Sequence, residues 1–96
     1  GGPLELHLLG PTGHTLVTLG SALDRGERPQ AVAPAGVLQA ARVAPASAGD
    51  FTLVGCTVAP GFDFADFEMP AREALLRDYP AHAPLIETFT RARAAL

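Results

Sequence analysis

The most constraining stretch of this sequence is a proline–glycine corner that leads directly into a strand. Pro34 fixes its own φ near −65° and Gly36 tolerates positive φ, so the chain can reverse here with little strain. Residues 37–42 then alternate as a strand does, and Arg42 is expected to reach water, which turns Gln39 on the opposite face toward the interior. A buried amide must find partners or lose about 1–3 kcal/mol. Gln39 is therefore expected either to close a buried hydrogen-bond network or to face a wet pocket.

The composition limits the cellular compartment and the binding partners that we expect for this chain. Its 96 residues allow one domain, near the lower limit for a chain that buries a core alone. Ten acidic against seven basic residues give a formal charge of −3, which argues against nucleic acid. No apolar run approaches the roughly 20 residues of a membrane-spanning helix. Because the single cysteine, Cys56, can form neither an internal disulfide nor a zinc cluster, we expect a cytoplasmic protein.

Alternation of apolar and polar residues predicts short β-strands through the first two thirds of the chain. Residues 4–9 and 14–19 flank a Gly-Pro-Thr-Gly turn and predict a hairpin. Residues 51–58 are rich in β-branched and aromatic types and form the strongest predicted strand. Residues 20–28 are predicted to form a loop with one helical turn at residues 21–23. The full set of predicted strands is 4–9, 14–19, 29–33, 37–42, 51–58 and 62–68.

The remainder of the sequence has helical spacing. Residues 71–79 and about 83–95 each place apolar side chains on one stripe, which predicts two helices that pack on the strands or on a partner. We therefore predict a single domain over the whole chain, 1–96, with barrel strands over 1–68 and a helical tail over 69–96.

The corner also carries a resemblance. Pro34, Gly36 and Gln39 fall on the positions of a Pro-x-Gly-x-x-His turn, the second signature of the cupins, which are small β-barrels in which that histidine binds a metal. The runs VAPAGVLQAAR and GDFTLVGCTVAPGFDFADFEM resemble the cupin group of unknown function called cupin type five. The resemblance implies a jelly-roll barrel and a homodimer.

The expected fold class is thus mainly β, a partial cupin-like jelly-roll barrel with two short C-terminal helices. Five or six strands are too few for a closed jelly roll, which needs about eight. The first cupin signature, a cluster of histidines and a glutamate, would precede the strand at 4–9, so the N-terminal strands of the barrel would be missing. We expect a fragment, a chain that receives strands from another chain, or a short form that completes its barrel as a homodimer.

The candidate ligand-binding residues are His7, Gln39, Cys56, Phe62 and Phe64. The two phenylalanines stand near the end of a predicted strand, where they could line an apolar pocket or pack under the helices. Cys56 is not expected to be a nucleophile because the sequence places no histidine to activate it. The pocket hypothesis depends on Gln39 facing the interior.

No metal and no cofactor are expected. A metal site needs about three converging ligands, whereas His7, His14 and His82 lie on different predicted elements. The resemblance places Gln39 where metal-binding cupins have histidine. A metal-dependent oxygenase is therefore disfavoured.

Three functions are left open. The preferred one is a small-molecule-binding domain of unassigned ligand, with a sugar or nucleotide sugar as a candidate and a metal-free pocket flanked by Gln39 and His7. The resemblance implies an alternative, a nucleotide-sugar epimerase or isomerase whose catalytic residues lie in a missing N-terminal half. It needs a histidine–carboxylate pair and a facing tyrosine, yet Tyr79 is expected to pack in a helix, and Glu5 and His7, which share a strand face, are not expected to make a catalytic pair. The third is a non-catalytic dimerisation or scaffold module with a filled barrel interior.

Overall fold

The computed structural model describes residues 1–44, 51–61 and 63–91. The chain divides into two compact units, residues 1–54 and residues 55–96. The first unit contains a β-sheet, and the second contains two short α-helices. The sequence-based boundary between strands and helical tail stays a prediction.

The sheet of the first unit has three antiparallel strands in the order β2-β1-β3. Strand β1 is Leu4–Gly10, β2 is Gly13–Leu19 and β3 is Leu38–Val43. The hairpin of β1 and β2 confirms the prediction. Gly10 pairs with Gly13 at its tip, and Gly13 has φ 118°, a conformation that a side chain would strain.

The strand register sorts the side chains onto two faces, because residues directly opposite each other share a face and neighbours along a strand do not. We call the two faces the leucine face and the histidine face, after the residues of β1 that lie on each of them. The leucine face carries Leu4, Leu6, Leu8, Thr15, Val17, Leu19, Gln39, Ala41 and Val43. The histidine face carries Glu5, His7, Leu9, His14, Leu16, Thr18, Leu38, Ala40 and Arg42. Since β1 is the central strand, its Leu6, His7 and Leu9 are the side chains that become buried.

The connection from β2 to β3 contains the proline–glycine corner. As predicted, Gly36 has positive φ, 79°, and the Val37 N–H donates to the Pro34 carbonyl at 3.3 Å. The helical turn expected at residues 21–23 lies two residues later, as a single 3-10 turn at Leu23–Arg25. The strand predicted over 29–33 is wrong, since the backbone there forms no ladder in the structure.

The segment with the strongest predicted strand, 51–58, is not a strand in the structure. Its start is tied to the N-terminus, where the Gly2 N–H donates to the Phe51 carbonyl at 2.6 Å and the Thr52 hydroxyl donates to the Gly2 carbonyl at 2.7 Å. Beyond that point Leu53 is 90% exposed. A strand requires a second strand to complete its hydrogen bonds, and among the described residues no strand pairs with this segment.

The second unit begins with irregular chain. A strand was predicted over 62–68, but Phe64–Asp66 form a 3-10 turn in which the Asp63 carboxylate accepts from the Ala65 N–H at 3.0 Å. This prediction is wrong because an aspartate that bonds the backbone two residues later favours a turn over an extended strand. Phe62 lies outside the described residues.

The two predicted helices are present. Helix α1 is Arg72–Asp78 and α2 is Ala83–Phe89, preceded by a 3-10 turn. Ile86 is 3% exposed. The Arg72 guanidinium donates to the Thr90 hydroxyl at 2.8 Å, to the Glu87 carbonyl at 2.9 Å and to the Thr90 carbonyl at 2.5 Å. Arg72 therefore fastens the start of α1 to the end of α2.

Helix α2 ends earlier than the sequence predicted. Thr90 has extended φ and ψ, so the helix stops at Phe89, and the expected continuation toward Ala95 reaches residues outside the described ranges. Within the described ranges, helices lack the combination of length and apolar character that crossing a bilayer requires.

Candidate functional site

Four polar side chains meet on the histidine face of the sheet: Glu5, His7, His14 and Arg42. They are called the polar cluster here. Glu5 and Arg42 lie directly opposite each other on β1 and β3. His14 pairs with Leu9 across β1 and β2, which makes it a diagonal neighbour of His7 on the same face. Diagonal positions are within reach of aromatic and long side chains.

The polar cluster is a continuous line of hydrogen bonds. His7 Nδ1 lies 2.7 Å from His14 Nε2, and His7 Nε2 lies 2.5 Å from Glu5 Oε1. Arg42 Nε donates to the same Glu5 oxygen at 3.1 Å. The two imidazole rings are nearly parallel, at 6°, with centroids 5.0 Å apart. Both nitrogens of His7 are thus held by neighbouring side chains.

Exposure changes along this line. The side chains of His7 and Glu5 are 10% and 14% exposed, whereas Arg42 is 45% exposed and His14 is an exposed residue. The centre of the polar cluster is therefore withdrawn from water, and its two ends reach the surface.

The pKa of the Glu5 carboxyl lies below its ordinary value. The main cause is the hydrogen bond from His7, to which the charge and hydrogen bond of Arg42 add, while burial acts in the opposite direction. Glu5 is consequently a carboxylate at neutral pH, so it accepts hydrogen bonds from both of its neighbours.

The expected inward orientation of Gln39 is wrong. Gln39 is exposed and lies on the leucine face, opposite Leu8 and away from His7. The prediction assumed that Arg42 marks the water-facing side, but the Arg42 guanidinium folds over Glu5 on the face that buries His7. A pocket flanked jointly by Gln39 and His7 therefore does not form in this sheet.

The other predicted ligand residues are not brought to His7 within the first unit. Cys56 and Phe64 belong to the second unit, and both are exposed, Phe64 to 81%. Their roles in binding stay predictions. A shallow depression in the first unit is lined by other residues, namely Leu23, Gly26, Glu27, Arg28, Pro29 and Gln30.

The chain's own residues do not fit the metal that many cupin barrels bind. Gln39, at the position of the expected histidine ligand, is on the opposite face from His7. His7 directs one nitrogen at Glu5 and the other at His14. Within residues 1–44, 51–61 and 63–91, no group of three or more histidine, cysteine or carboxylate side chains is arranged to hold a metal ion.

Sequence reasoning identified His7 but missed its partners. The pairing of His7 with His14 could have been found, because a two-residue loop between Gly10 and Gly13 fixes the hairpin register and makes the two histidines diagonal neighbours. The contact of Arg42 with Glu5 could not have been found from sequence, since the long connection between β2 and β3 leaves the register of β3 undetermined.

A protein-family model described as cupin superfamily (DUF985) matches residues 1–70 of the chain. The structure is similar to the crystal structure of a protein from Shewanella oneidensis, with a TM-score of 0.86 and 39% sequence identity over 97% of this chain. It is also similar to a hypothetical protein from Leishmania major, with a TM-score of 0.77 and 26% identity over 96% of this chain. Among curated proteins, no sequence matches.

The chain spans 58% and 60% of the lengths of these two solved structures. The chain has a three-stranded sheet and two helices, and its structural neighbours are cupin-like. The family match and these neighbours together support a β-rich fold. A complete barrel is not present in the described residues. Resemblance in sequence and likeness in structure thus point to one family of proteins.

Proposed function

Since the chain belongs to the cupin superfamily family DUF985, we propose that it is a small-molecule-binding domain whose ligand contacts the polar cluster. The observation that carries this proposal is the position of His7: 9% exposed, on the central strand, and hydrogen-bonded through both ring nitrogens. The other buried side chains of this strand, Leu6 and Leu9, are apolar.

The energetics of the polar cluster support a functional role. Buried charged groups lose hydration, and their mutual attraction often only offsets that loss, so apolar residues of similar volume stabilise a core as well or better. A partly buried carboxylate whose pKa is shifted by a neighbouring histidine occurs at many binding and catalytic sites. The cluster is therefore better accounted for by ligand contact than by stability.

The chemistry of the polar cluster suggests the kind of ligand. The imidazole of His14 and the guanidinium of Arg42 stand at the exposed ends, where hydroxyl and carbonyl groups of a small molecule can exchange hydrogen bonds with them. A sugar or the sugar part of a nucleotide sugar carries such groups and remains the ligand class we propose. The roles proposed for Cys56 and Phe64 are secondary.

A ligand screen by thermal denaturation tests the proposal. The panel consists of free sugars, nucleotide sugars and small organic acids, each added to the wild-type chain, to His7→Gln and to His82→Gln. His82→Gln is the matched control because it removes an imidazole from the second unit. A ligand at about 100 times its Kd adds about 2.7 kcal/mol to the stability of the state that binds it, which corresponds to a rise in Tm of roughly 10 °C or more at this chain length.

We expect at least one panel member to raise the Tm of wild type and of His82→Gln, and to leave His7→Gln unchanged. A screen without any stabilising compound contradicts the proposal. So does a compound that stabilises His7→Gln as much as wild type, because its site would not include the polar cluster.

Association through exposed apolar side chains is a second candidate function. Several large apolar side chains of the described residues are exposed, which favours a covering partner such as a second copy of the chain. The most exposed are Leu53 at 90%, Met69 at 83%, Val32 at 81% and Phe64 at 81%.

Sedimentation analysis of the wild-type chain and of Leu53→Asp tests this candidate. A homodimer that Leu53→Asp converts to a monomer supports it. A monomeric wild type at micromolar concentration, or a dimer that keeps its affinity with aspartate at this position, contradicts it. The matched control is Leu23→Asp, at a residue that is also exposed, to 65%, but lies in the β2–β3 connection.

A further inference from the structure

The contact between His7 and His14, called the histidine pair here, joins the two strands of the hairpin through their side chains. His7 Nδ1 lies 2.7 Å from His14 Nε2, and the two rings are parallel to within 6°. Their centroids are 5.0 Å apart, much farther than the two nitrogens, so the rings meet edge to edge. A hydrogen bond therefore occupies the line between these two nitrogens.

This line has room for one hydrogen atom. A neutral imidazole carries a proton on one nitrogen and a lone pair on the other, whereas an imidazolium donates from both nitrogens. The hydrogen bond can consequently form as long as one of the two rings is neutral. Two imidazolium rings would place a proton on each facing nitrogen, and the hydrogen bond would be lost. Other contacts of His14 do not alter this count, because it concerns only the nitrogens that face each other.

The charged groups of the three strands affect the first and the second added proton differently. Besides the two histidines, the strands carry one carboxylate and one guanidinium, Glu5 on β1 and Arg42 on β3. The Glu5 carboxylate, 2.5 Å from His7 Nε2, attracts the first positive charge on the histidine pair. A second charge is repelled by the first and by Arg42, which lies 3.1 Å from Glu5. The two rings therefore titrate as a coupled unit.

The two rings differ in how easily each can move away from the other. His7 is 9% exposed, lies on the central strand and is held by the Glu5 carboxylate. His14 is an exposed residue of β2, next to Gly13 at the tip of the hairpin. Rotation of the His14 side chain is therefore the less costly response to a second proton, because water can hydrate the imidazolium that turns outward.

We propose that the histidine pair is an acid-sensitive switch of the hairpin, closed while one ring is neutral and open when both rings are imidazolium. In the closed state, His14 covers the Nδ1 edge of His7. In the open state, that edge is uncovered and the side-chain link between β1 and β2 is lost. The polar cluster also changes from formally neutral to doubly positive, since the charges of Glu5 and Arg42 cancel. The switch is a property of the chain alone and requires no ligand.

Nitrogen-15 NMR of the wild-type chain tests the switch directly. The pH is lowered from about 8 to about 4.5, on either side of the ordinary histidine value of about 6.5. We expect a scalar coupling between His7 Nδ1 and His14 Nε2 at about pH 8, and its loss once the nitrogen chemical shifts show both rings to be imidazolium. A coupling that is absent at about pH 8, or that persists between two imidazolium rings, overturns the switch. So does a pair that still shares one proton at about pH 4.5.

The pH dependence of stability provides a second test, with His14→Gln as the variant. A glutamine amide can donate to a neutral His7 or accept from a charged one, and it stays uncharged, so its contact with His7 survives in acid. The same change of pH should therefore reduce the folding equilibrium constant of wild type about 2- to 10-fold more than that of His14→Gln, the net value of one hydrogen bond. Urea denaturation at the two pH values measures both.

The matched control is His82→Gln, which removes an imidazole from the second unit and keeps the histidine pair. It should lose as much stability in acid as wild type. A loss in His14→Gln that equals or exceeds the wild-type loss overturns the switch. These outcomes are separate from those of the ligand screen, because a screen without a stabilising compound rejects the binding function alone, and a persistent coupling or an equal loss in acid rejects the switch alone.

Discussion

Strand β1 and the segment 51–58 have similarly apolar sequences but very different structures. Strand β1 is paired along both edges, and the structure buries its Leu6 to 8% exposure. The segment 51–58 has no ladder, and Leu53 is 90% exposed. Residues of high strand propensity form a strand only where a neighbouring strand pairs with them, and their side chains become buried as a result of that pairing.

Removing a leucine side chain from each region is the strongest test of this difference. Leu6→Ala should lower the free energy of unfolding by about 2–5 kcal/mol because it leaves a cavity beside the central strand. Leu53→Ala should change it by no more than about 0.5 kcal/mol, since the side chain touches water already. Urea denaturation followed by circular dichroism measures both. Equal losses would mean that the segment is packed in solution.

A partly buried carboxylate of strand β1 and an exposed carboxylate of the second unit provide the next test. Glu5→Gln should lower the free energy of unfolding by about 1–3 kcal/mol, because the amide disturbs a half-buried set of hydrogen bonds with His7 and Arg42. Glu68→Gln, at an exposed position, is the matched control and should be neutral within about 0.5 kcal/mol. If the two variants unfold at the same urea concentration, the polar cluster does not contribute to stability.

Acid should remove the contribution of Glu5 to the free energy of unfolding but should leave the contribution of Leu6 unchanged. The pKa of Glu5 is lowered from 4.5 in the folded state, so its stabilising effect is complete above about pH 4.5 and is lost as pH falls through the lower folded value. The stability difference between wild type and Glu5→Gln should therefore narrow below pH 4.5. A difference that widens in acid would mean that the pKa is raised instead.

The arginines should show the smallest effects. Arg42→Gln should lower the free energy of unfolding by about 0.2–1 kcal/mol, because its side chain is 45% exposed and solvent screens the pair with Glu5. Arg77→Gln breaks a contact with Asp78 at 3.6 Å between side chains that are 77% and 61% exposed, and should have no measurable effect. In 1 M salt the loss in Arg42→Gln should shrink. A loss that persists there would indicate a role in packing.

Local pattern was sufficient for several features of the fold. The hairpin, the positive φ of Gly36 and the two helices each depend on residues close together in sequence. The strand expected over 51–58 depends on a distant partner, which no local pattern can supply. Thus the strand prediction over 51–58 failed because long-range pairing decides its stability, whereas the one over 62–68 failed because a local turn at Asp63 competes with a strand.

Likewise, the sequence could predict only those parts of the candidate site that depend on residues close together in the chain. The sequence singled out His7, which the structure places at the centre of the polar cluster, and its role in binding stays a prediction; its contact with His14 follows from the hairpin register. The orientation of Gln39 was wrong because a charged residue, Arg42, was taken to mark a wholly solvated face, whereas a long side chain can lie along a buried face and keep its charge at the edge. Its contact with Glu5 then depends on the register of β3.

The Arg72 contacts in the second unit have a consequence for how that unit opens. Helices α1 and α2 have seven residues each, fewer than an isolated helix needs to persist in water. Because one guanidinium joins the first residue of α1 to the last turn and the C-cap of α2, fraying at the start of α1 and fraying at the end of α2 are coupled. The Arg72→Ala variant should therefore speed amide hydrogen exchange in the last turn of α2 as well as in α1.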